Sequence, residues 1–249
     1  MPRLEKAHRP MATLRRRTLL AAAPAGFLAA CDQKMPTTVS TTPQVALSDL
    51  DKAIGRIAEA ARPAALGVGL MNLESGQSYG FNGDRRFPMQ SVFKMLLGAA
   101  ALAEADAGRL AMDERFTLAD EQLSPPYSPI AQAWPGRRDY TAAELLAAAV
   151  SDSDNTAADV LMKRIGGPGA LTAWLAAKRV KDIRVDRYER ELQPEVYGMP
   201  SFRPAWRTSE SFAAARAAVP PARRMAAIRA YMADARDTAT PRGMLVFLQ

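Results

Sequence analysis

The 249-residue chain is 48% hydrophobic, enough for a sizeable core, and carries a formal charge of +7 with one histidine and one cysteine. Residues 1–30 hold six Lys/Arg and one Glu, so the remaining 27 Lys/Arg face 25 Asp/Glu and most of the chain is nearly neutral. Those charges are interspersed, with no basic stripe and no aromatic ladder. This argues against nucleic-acid binding, and a lone cysteine excludes an internal disulfide.

Arg15-Arg16-Arg17 precede an apolar stretch, Thr18 to Ala30, interrupted by Pro24 and Gly26. Its 13 residues are too few to span a bilayer, which takes about 20, and suit the core of an export signal. The paired arginines resemble a twin-arginine signal, and the basic run equally fits a general secretory one. Met11 is an alternative start, because a complete signal follows it. Leu28-Ala29-Ala30-Cys31 resembles the lipobox of bacterial lipoproteins. That likeness implies lipidation of Cys31, membrane contact through this anchor alone, and a periplasm-facing protein. Asp32 resembles an inner-membrane retention signal. Residues 1–31 are therefore read as a signal ending in a lipobox cysteine, 32–47 as a flexible polar tether, and 48–249 as the folded domain.

A helix is predicted from Ser48, with Asp51 in its first turn and an apolar face of Leu50, Ile54, Ile57, Ala58 and Ala61; Pro63 ends it. Leu66 to Leu73 reads as a strand, Glu74-Ser75-Gly76-Gln77 as a turn and Ser78 to Asn82 as a second strand, giving a hairpin. No strand partner for this hairpin is evident, and a two-stranded hairpin alone is marginal. An apolar helical run opens at Ser91 and closes at Gly108. An irregular stretch with Pro125, Pro126 and Pro129 follows. Thr141 and Glu144 form a capping box for another helix. Helical segments run from Asn155 to Arg164, stopped by Gly166-Gly167, and from Gly169 to about Lys178. Residues 181–240 read as mostly loop, with an Ala/Arg-rich helical piece after Pro220-Pro221. Arg242 to Gln249 opens a last apolar helix. There is no internal repeat.

Three motifs carry chemistry. In Ser91-Val92-Phe93-Lys94 a three-residue step on a helix places two side chains on one face, about 5–6 Å apart at Cβ, so Lys94 can reach the Ser91 hydroxyl. His8 lies ahead of the signal core, so no imidazole remains to activate a serine, and a lysine one turn along can do so. Lysine acts as a base near neutral pH only if burial or nearby positive charge lowers its pKa; its apolar neighbours Met95, Leu96 and Leu97 suit burial. Ser153-Asp154-Asn155 falls between two helices and can present a hydroxyl and a carboxamide, although alone the triplet is also what a helix N-cap looks like. Arg187-Tyr188-Glu189-Arg190-Glu191-Leu192-Gln193 places a glutamate on a buried loop, where it can act as a general base on water.

In this order and spacing, Ser-x-x-Lys, Ser-Asp-Asn and Arg-x-Glu-x-x-Leu-Gln resemble the class A β-lactamases. Phe87-Pro88-Met89, Tyr127-Ser128-Pro129, Arg184-Val185-Asp186-Arg187 and Asp237-Thr238-Ala239-Thr240-Pro241 extend the likeness over most of residues 48–249. The resemblance implies an α/β fold of the α+β type: a helical domain beside an antiparallel sheet with flanking helices. It implies that Ser91 attacks a β-lactam carbonyl to form an acyl-enzyme. For that attack Lys94 helps deprotonate Ser91, with or without Glu189 acting through a water; Ser153 relays a proton to the leaving nitrogen; and Glu189 activates the deacylating water. It also implies that Tyr127 and Asn155 contact the substrate, and that Arg187 and Asp237 pin the ends of the loop carrying Glu189. It calls for no cofactor and no metal, and for a monomer whose partner is a small β-lactam.

Three features depart from the family. Lys-Thr-Gly is absent, since the lysines stand in Lys163-Arg164, Lys178-Arg179 and Lys181-Asp182. The last strands and the final helix do not appear before Gln249, so the expectation is a truncated chain with an incomplete sheet. The segment from Gln193 to Asp237 is markedly longer than usual, so residues 196–235, with Phe202 and Trp206, form either an added helical subdomain or a disordered insertion. Gln193 stands where the family has an asparagine that holds the hydrolytic water, one methylene shorter. Rival readings are a penicillin-binding DD-peptidase, a β-lactam sensor and an inactive remnant. Glu189 argues against the first, and the lack of a membrane-spanning helix in the sequence argues against the second.

Overall fold

The computed structural model describes residues 46–124 and 126–249. The signal, Cys31 and the tether up to residue 45 lie outside them. The first helix, α1 (Leu47–Ala60), leads into the hairpin β1 (Val68–Met71) and β2 (Ser78–Phe81), paired antiparallel with Val68 opposite Phe81. Next come β3 (Phe87–Pro88), a single 3-10 turn over Gln90–Val92, and α2 (Phe93–Asp106).

The stretch expected to be irregular is ordered. It contains β4 (Arg115–Thr117), the short helix α3 (Pro129–Ala133) and β5 (Asp139–Thr141), with β4 and β5 paired antiparallel. Three residues per strand is too short for alternation to show in sequence. Thr141 then caps α4 (Ala142–Ser151): its hydroxyl accepts from Glu144 N–H at 3.2 Å, and the Glu144 carboxylate accepts from Thr141 N–H at 2.8 Å. This is the predicted capping box. Helices α5 (Asn155–Arg164) and α6 (Pro168–Ala177) stand where the sequence placed them.

The segment read as mostly loop is corrected, except for the Ala/Arg-rich piece after Pro220-Pro221, which is helical as expected. After β6 (Ile183–Arg184) the segment holds α7 (Glu189–Val196), α8 (Ser209–Ala217) and α9 (Pro221–Ala233), and ends at β7 (Thr238–Ala239). Within residues 196–235 the structure shows helices. Phe212 is fully buried against Tyr197, the rings meeting edge-on at 6.1 Å. Arg207 pairs with Asp120 at 3.6 Å and covers the Trp134 ring, and Ser209 Oγ donates to the Pro126 carbonyl. Too few large apolar residues recur along these helices for a periodic face to show in sequence, because their contacts come from a few side chains reaching distant parts of the chain. The last helix is α10 (Pro241–Leu248).

The main core is helical. Phe93, Leu96, Leu97 and Ala100 of α2 pack against Leu145 and Ala149 of α4, Ala157, Ala158 and Leu161 of α5, and Leu171 and Leu175 of α6. Gly98 lets α2 approach α4 closely, since a Cβ there would lie 2.8 Å from Val150 Cγ2. The hairpin takes no third strand among the described residues; it is flanked instead by α1 and by α10, whose Pro241 and Leu245 press on Gly69, where a Cβ would meet atoms at 3.0–3.2 Å. The predicted apolar face of α1 is only partly covered: Ile54 is buried and Leu50 and Ala58 are half-buried, but Ile57 is 59% exposed. A two-stranded ribbon offers too little surface to bury a whole helix face.

The three two-residue strands β3, β7 and β6 form one antiparallel sheet, with Phe87 and Ile183 both opposite Ala239. This small sheet joins three distant segments: the lead into Ser91, the lead into Glu189, and the return from α8 and α9.

Candidate active site

Ser91 lies one turn ahead of the α2 interior, in the 3-10 turn, and is exposed to solvent. Gln90 before it has φ 48°, in the left-handed region. Lys94, in the first turn of α2, is only 2% exposed. The predicted reach from Lys94 to the Ser91 hydroxyl is not realised as a hydrogen bond. Lys94 Nζ is taken up by other oxygens: the Ser153 carbonyl at 2.7 Å, the Ser153 hydroxyl at 3.3 Å, the Asn155 Oδ1 at 2.5 Å and the Glu189 Oε1 at 3.4 Å. An ammonium has three protons and no acceptor, so a ring of oxygens outcompetes one hydroxyl. Burial lowers the Lys94 pKa, and the Glu189 carboxylate beside it opposes that shift. Burial is the larger effect, because it removes water from a charge that Glu189 only partly compensates.

The Ser-Asp-Asn triplet divides its labour. Asp154, fully buried, is the N-cap of α5, accepting from Ala157 N–H at 2.9 Å. It also accepts from the Ser128 hydroxyl at 2.8 Å and Ile130 N–H at 2.8 Å, which fixes the segment after Tyr127. Capping falls to Asp154 alone, so Ser153 and Asn155 are left to face Lys94. Ser153 has φ 60°, a conformation that costs a non-glycine residue on the order of 1–3 kcal/mol. It turns both the carbonyl and the hydroxyl of one residue onto the same ammonium. The Tyr127 carbonyl accepts from Asn155 N–H at 3.0 Å, while its side chain is 52% exposed.

Glu189 is not on a loop, as the sequence suggested, but is the first residue of α7, 1% exposed. Its Oε2 accepts from Gln193 Nε2 at 2.7 Å, one helical turn on, and its Oε1 accepts no hydrogen bond among the described residues. The start of α7 is held by Asp159, a residue the motif reading passed over. Asp159 accepts from Glu189 N–H at 2.7 Å, Arg190 N–H at 3.0 Å and the Ser124 hydroxyl at 2.6 Å. Its signal was its place four residues after Asn155 on the same helix, but nothing local shows that α7 begins against it.

Asp159 makes the site pH-sensitive. Burial pushes its carboxyl up to about 7, against the pull of Ser124 and the two amides. The folded pKa lies above the unfolded one, so between about 4 and about 7 the folded state binds more protons than the unfolded state. Stability is then fullest below that window, falls as pH rises through it, and is flat above. Chemical unfolding at pH 5, 6, 7 and 8 is expected to lose on the order of a few kcal/mol across the series, and Asp159→Asn to flatten that slope. No histidine lies among the described residues to obscure it. An unchanged slope in the variant would exclude Asp159 as the source.

Arg187 and Asp237, predicted to pin the loop, are both buried and meet at 2.6 Å, Nε to Oδ2. Asp237 Oδ1 also accepts from Asp186 N–H at 2.7 Å and Arg187 N–H at 3.1 Å. Arg187 further meets Glu195 at 2.8 Å and Asp234 at 3.5 Å. The structure thus brings Lys94, Ser153, Asn155, Glu189 and Gln193 into one connected cluster, sets the Ser91 turn at the head of α2, and keeps the Tyr127 side chain exposed. Among the described residues no group of three side chains could hold a metal ion, and no helix is long and apolar enough to cross a membrane.

A family model described as the Beta-lactamase enzyme family matches residues 49–249. Beta-lactamase L2 of Stenotrophomonas maltophilia is 35% identical over 166 residues, 66% of this chain and 51% of its own length. Beta-lactamase VEB-1 of Pseudomonas aeruginosa is 32% identical over 136 residues, 54% of this chain and 46% of its own. A solved ancestral class A β-lactamase superposes with a TM-score of 0.61 at 34% identity, over 80% of this chain and 62% of that one. The chain spans about half the length of the curated relatives it matches.

Proposed function

We propose that this chain, which belongs to the β-lactamase enzyme family, opens the ring amide of β-lactams through an acyl-enzyme on Ser91. The observation that carries this reading is the buried Lys94 ammonium, ringed by Ser153, Asn155 and Glu189 one helical turn from an exposed serine.

In the first step Ser91 Oγ attacks the β-lactam carbonyl carbon and loses its proton. Two routes take that proton: Lys94 directly, in its neutral form, or Glu189 through a water. Burial favours the first by lowering the lysine pKa, and the Glu189 Oε1 that accepts no hydrogen bond among the described residues favours the second. The negative charge that develops on the carbonyl oxygen sits at the positive end of α2, which stabilises it. The ring C–N bond then breaks, and Ser153, 3.3 Å from Lys94, relays a proton to the leaving nitrogen. In the second step Glu189 Oε1 removes a proton from water, the resulting hydroxide attacks the ester carbonyl, the C–O bond to Ser91 breaks, and Ser91 Oγ takes up the proton that Glu189 gained. Asn155 and the exposed Tyr127 ring contact the substrate side chain, and Gln193 steadies Glu189.

The test is a chromogenic cephalosporin with intact-mass detection. Turnover is expected, together with a transient adduct of one substrate mass. Ser91→Ala is expected to remove the adduct and lower hydrolysis by at least about 10³-fold, as loss of a covalent nucleophile does. A long-lived adduct without turnover would support a sensor or DD-peptidase instead, and no adduct an inactive chain. Export and anchoring through Cys31, facing the periplasm at the inner membrane, belong to the same proposal. They are supported by the Arg15–Arg17 run and by the Leu28–Cys31 lipobox likeness. A small-molecule substrate and a monomeric state complete it.

A further inference from the structure

Among the described residues a single hydrogen bond joins the helices α8 and α9 to the turn that carries Ser91. Tyr231 of α9 is buried in a cluster with Leu192 and Val196 of α7. Its hydroxyl accepts a hydrogen bond from Gln90 Nε2 at 2.7 Å. Burial pushes that hydroxyl up to about 12, so it stays neutral at ordinary pH. Gln90 immediately precedes Ser91 and holds φ 48°, which a residue with a Cβ seldom keeps without outside support. On one side that support is the β3–β7 pairing and the Met89 N–H donated to the Asp237 carbonyl at 3.0 Å. On the other it is Tyr231, the one hydrogen-bond partner of the Gln90 side chain among the described residues.

The same tyrosine therefore touches the helix that begins with Glu189 and the turn that presents Ser91. We infer that Tyr231 is a positioning residue, setting Ser91 Oγ against the Lys94–Glu189 pair and so making the α8–α9 segment part of the acylation apparatus. This rests on the acyl-enzyme reading above. Without the bond, Gln90 relaxes from its left-handed conformation and the Ser91 Cα–Cβ bond turns with it. Tyr231 is buried behind the turn, so the rate of attack falls while substrate affinity does not.

The experiment uses the full chain, Tyr231→Phe, Gln90→Leu and the double variant, each mixed with a fluorescent penicillin over a range of concentrations. Each single change is expected to slow limiting acylation roughly tenfold, about 1.4 kcal/mol of barrier, with the half-saturating concentration unchanged. The double variant is expected to be no slower than either single, because both remove one bond. Wild-type acylation in Tyr231→Phe, or a double variant slowed by the product of the two singles, would overturn the inference. If Tyr231→Phe fails to fold, Gln90→Leu, at an exposed position, decides alone. If the unmodified chain is not acylated at all, the acyl-enzyme reading fails, and hydrogen exchange judges the tie. The Val92 N–H, which donates to the Met89 carbonyl at 3.0 Å, exchanges faster in Tyr231→Phe if the tie holds the turn; equal exchange overturns it.

Discussion

Glu189→Gln is expected to be acylated by penicillin and then to stall, with the adduct on Ser91 outliving that of the parent by roughly 10²–10⁴-fold, the usual worth of a general base. The change is nearly isosteric. Gln193 can turn its own amide to keep the bond now made at 2.7 Å, so α7 and its Asp159 anchor need not move. What is lost is basicity at the carboxylate paired with Lys94. The variant also separates the two routes for the first proton. Glu189 holds the Lys94 pKa up; its removal lets burial lower that pKa further. If Lys94 is the acylating base, acylation persists or quickens while deacylation stops. If Glu189 acts in both steps, both slow together. Single-turnover kinetics by stopped flow and mass read the two rates apart. Ordinary turnover in the variant would remove Glu189 from the mechanism.

Asp237→Ala is expected to cost about 3–5 kcal/mol of stability, the range for breaking one side of a buried ion pair. Three bonds end on this carboxylate, from Arg187 Nε and from the backbone N–H groups of Asp186 and Arg187. Truncation leaves the buried guanidinium with Glu195, itself about half exposed, and a long contact to Asp234. It strands two amides as well. Asp237 has φ 51°, which alanine tolerates less well than aspartate. Asp237→Asn keeps the shape and tolerates that backbone, so it is expected to lose roughly half as much, mainly the charge-assisted part of the bond. Urea unfolding of the three proteins gives the ranking, and a cost below about 1 kcal/mol for the alanine variant would show that this pair does not hold the segment. Because β7 follows directly and pairs with β3, the damage is expected to spread to the Ser91 turn.

The sequence by itself determined whatever one or two helical turns contain. Thr141 and Glu144 stand three apart, and their mutual capping is complete within that window. The hairpin, α2, α5, α6 and α10 follow from apolar runs and nearby breakers. Spacing likewise joined Ser91 to Lys94, whereas Ser153, Asn155, Glu189 and Gln193 were named only by the resemblance of their motifs, in order, to a known family. Only the tertiary structure decided which oxygens Lys94 takes: local spacing offered Ser91, and chain closure over roughly sixty and ninety-five residues brought Ser153 and Glu189 nearer instead. Asp159 capping α7, Tyr231 reaching Gln90, and the two-residue strands β3, β6 and β7 were equally invisible. Each is a hydrogen-bonding group whose partner lies 30 or more residues away, and a backbone amide or a carboxylate carries no mark of the partner it will meet. Pattern reports what neighbouring residues bury together, whereas the polar geometry of a site depends on where distant segments come to rest once that burial is complete.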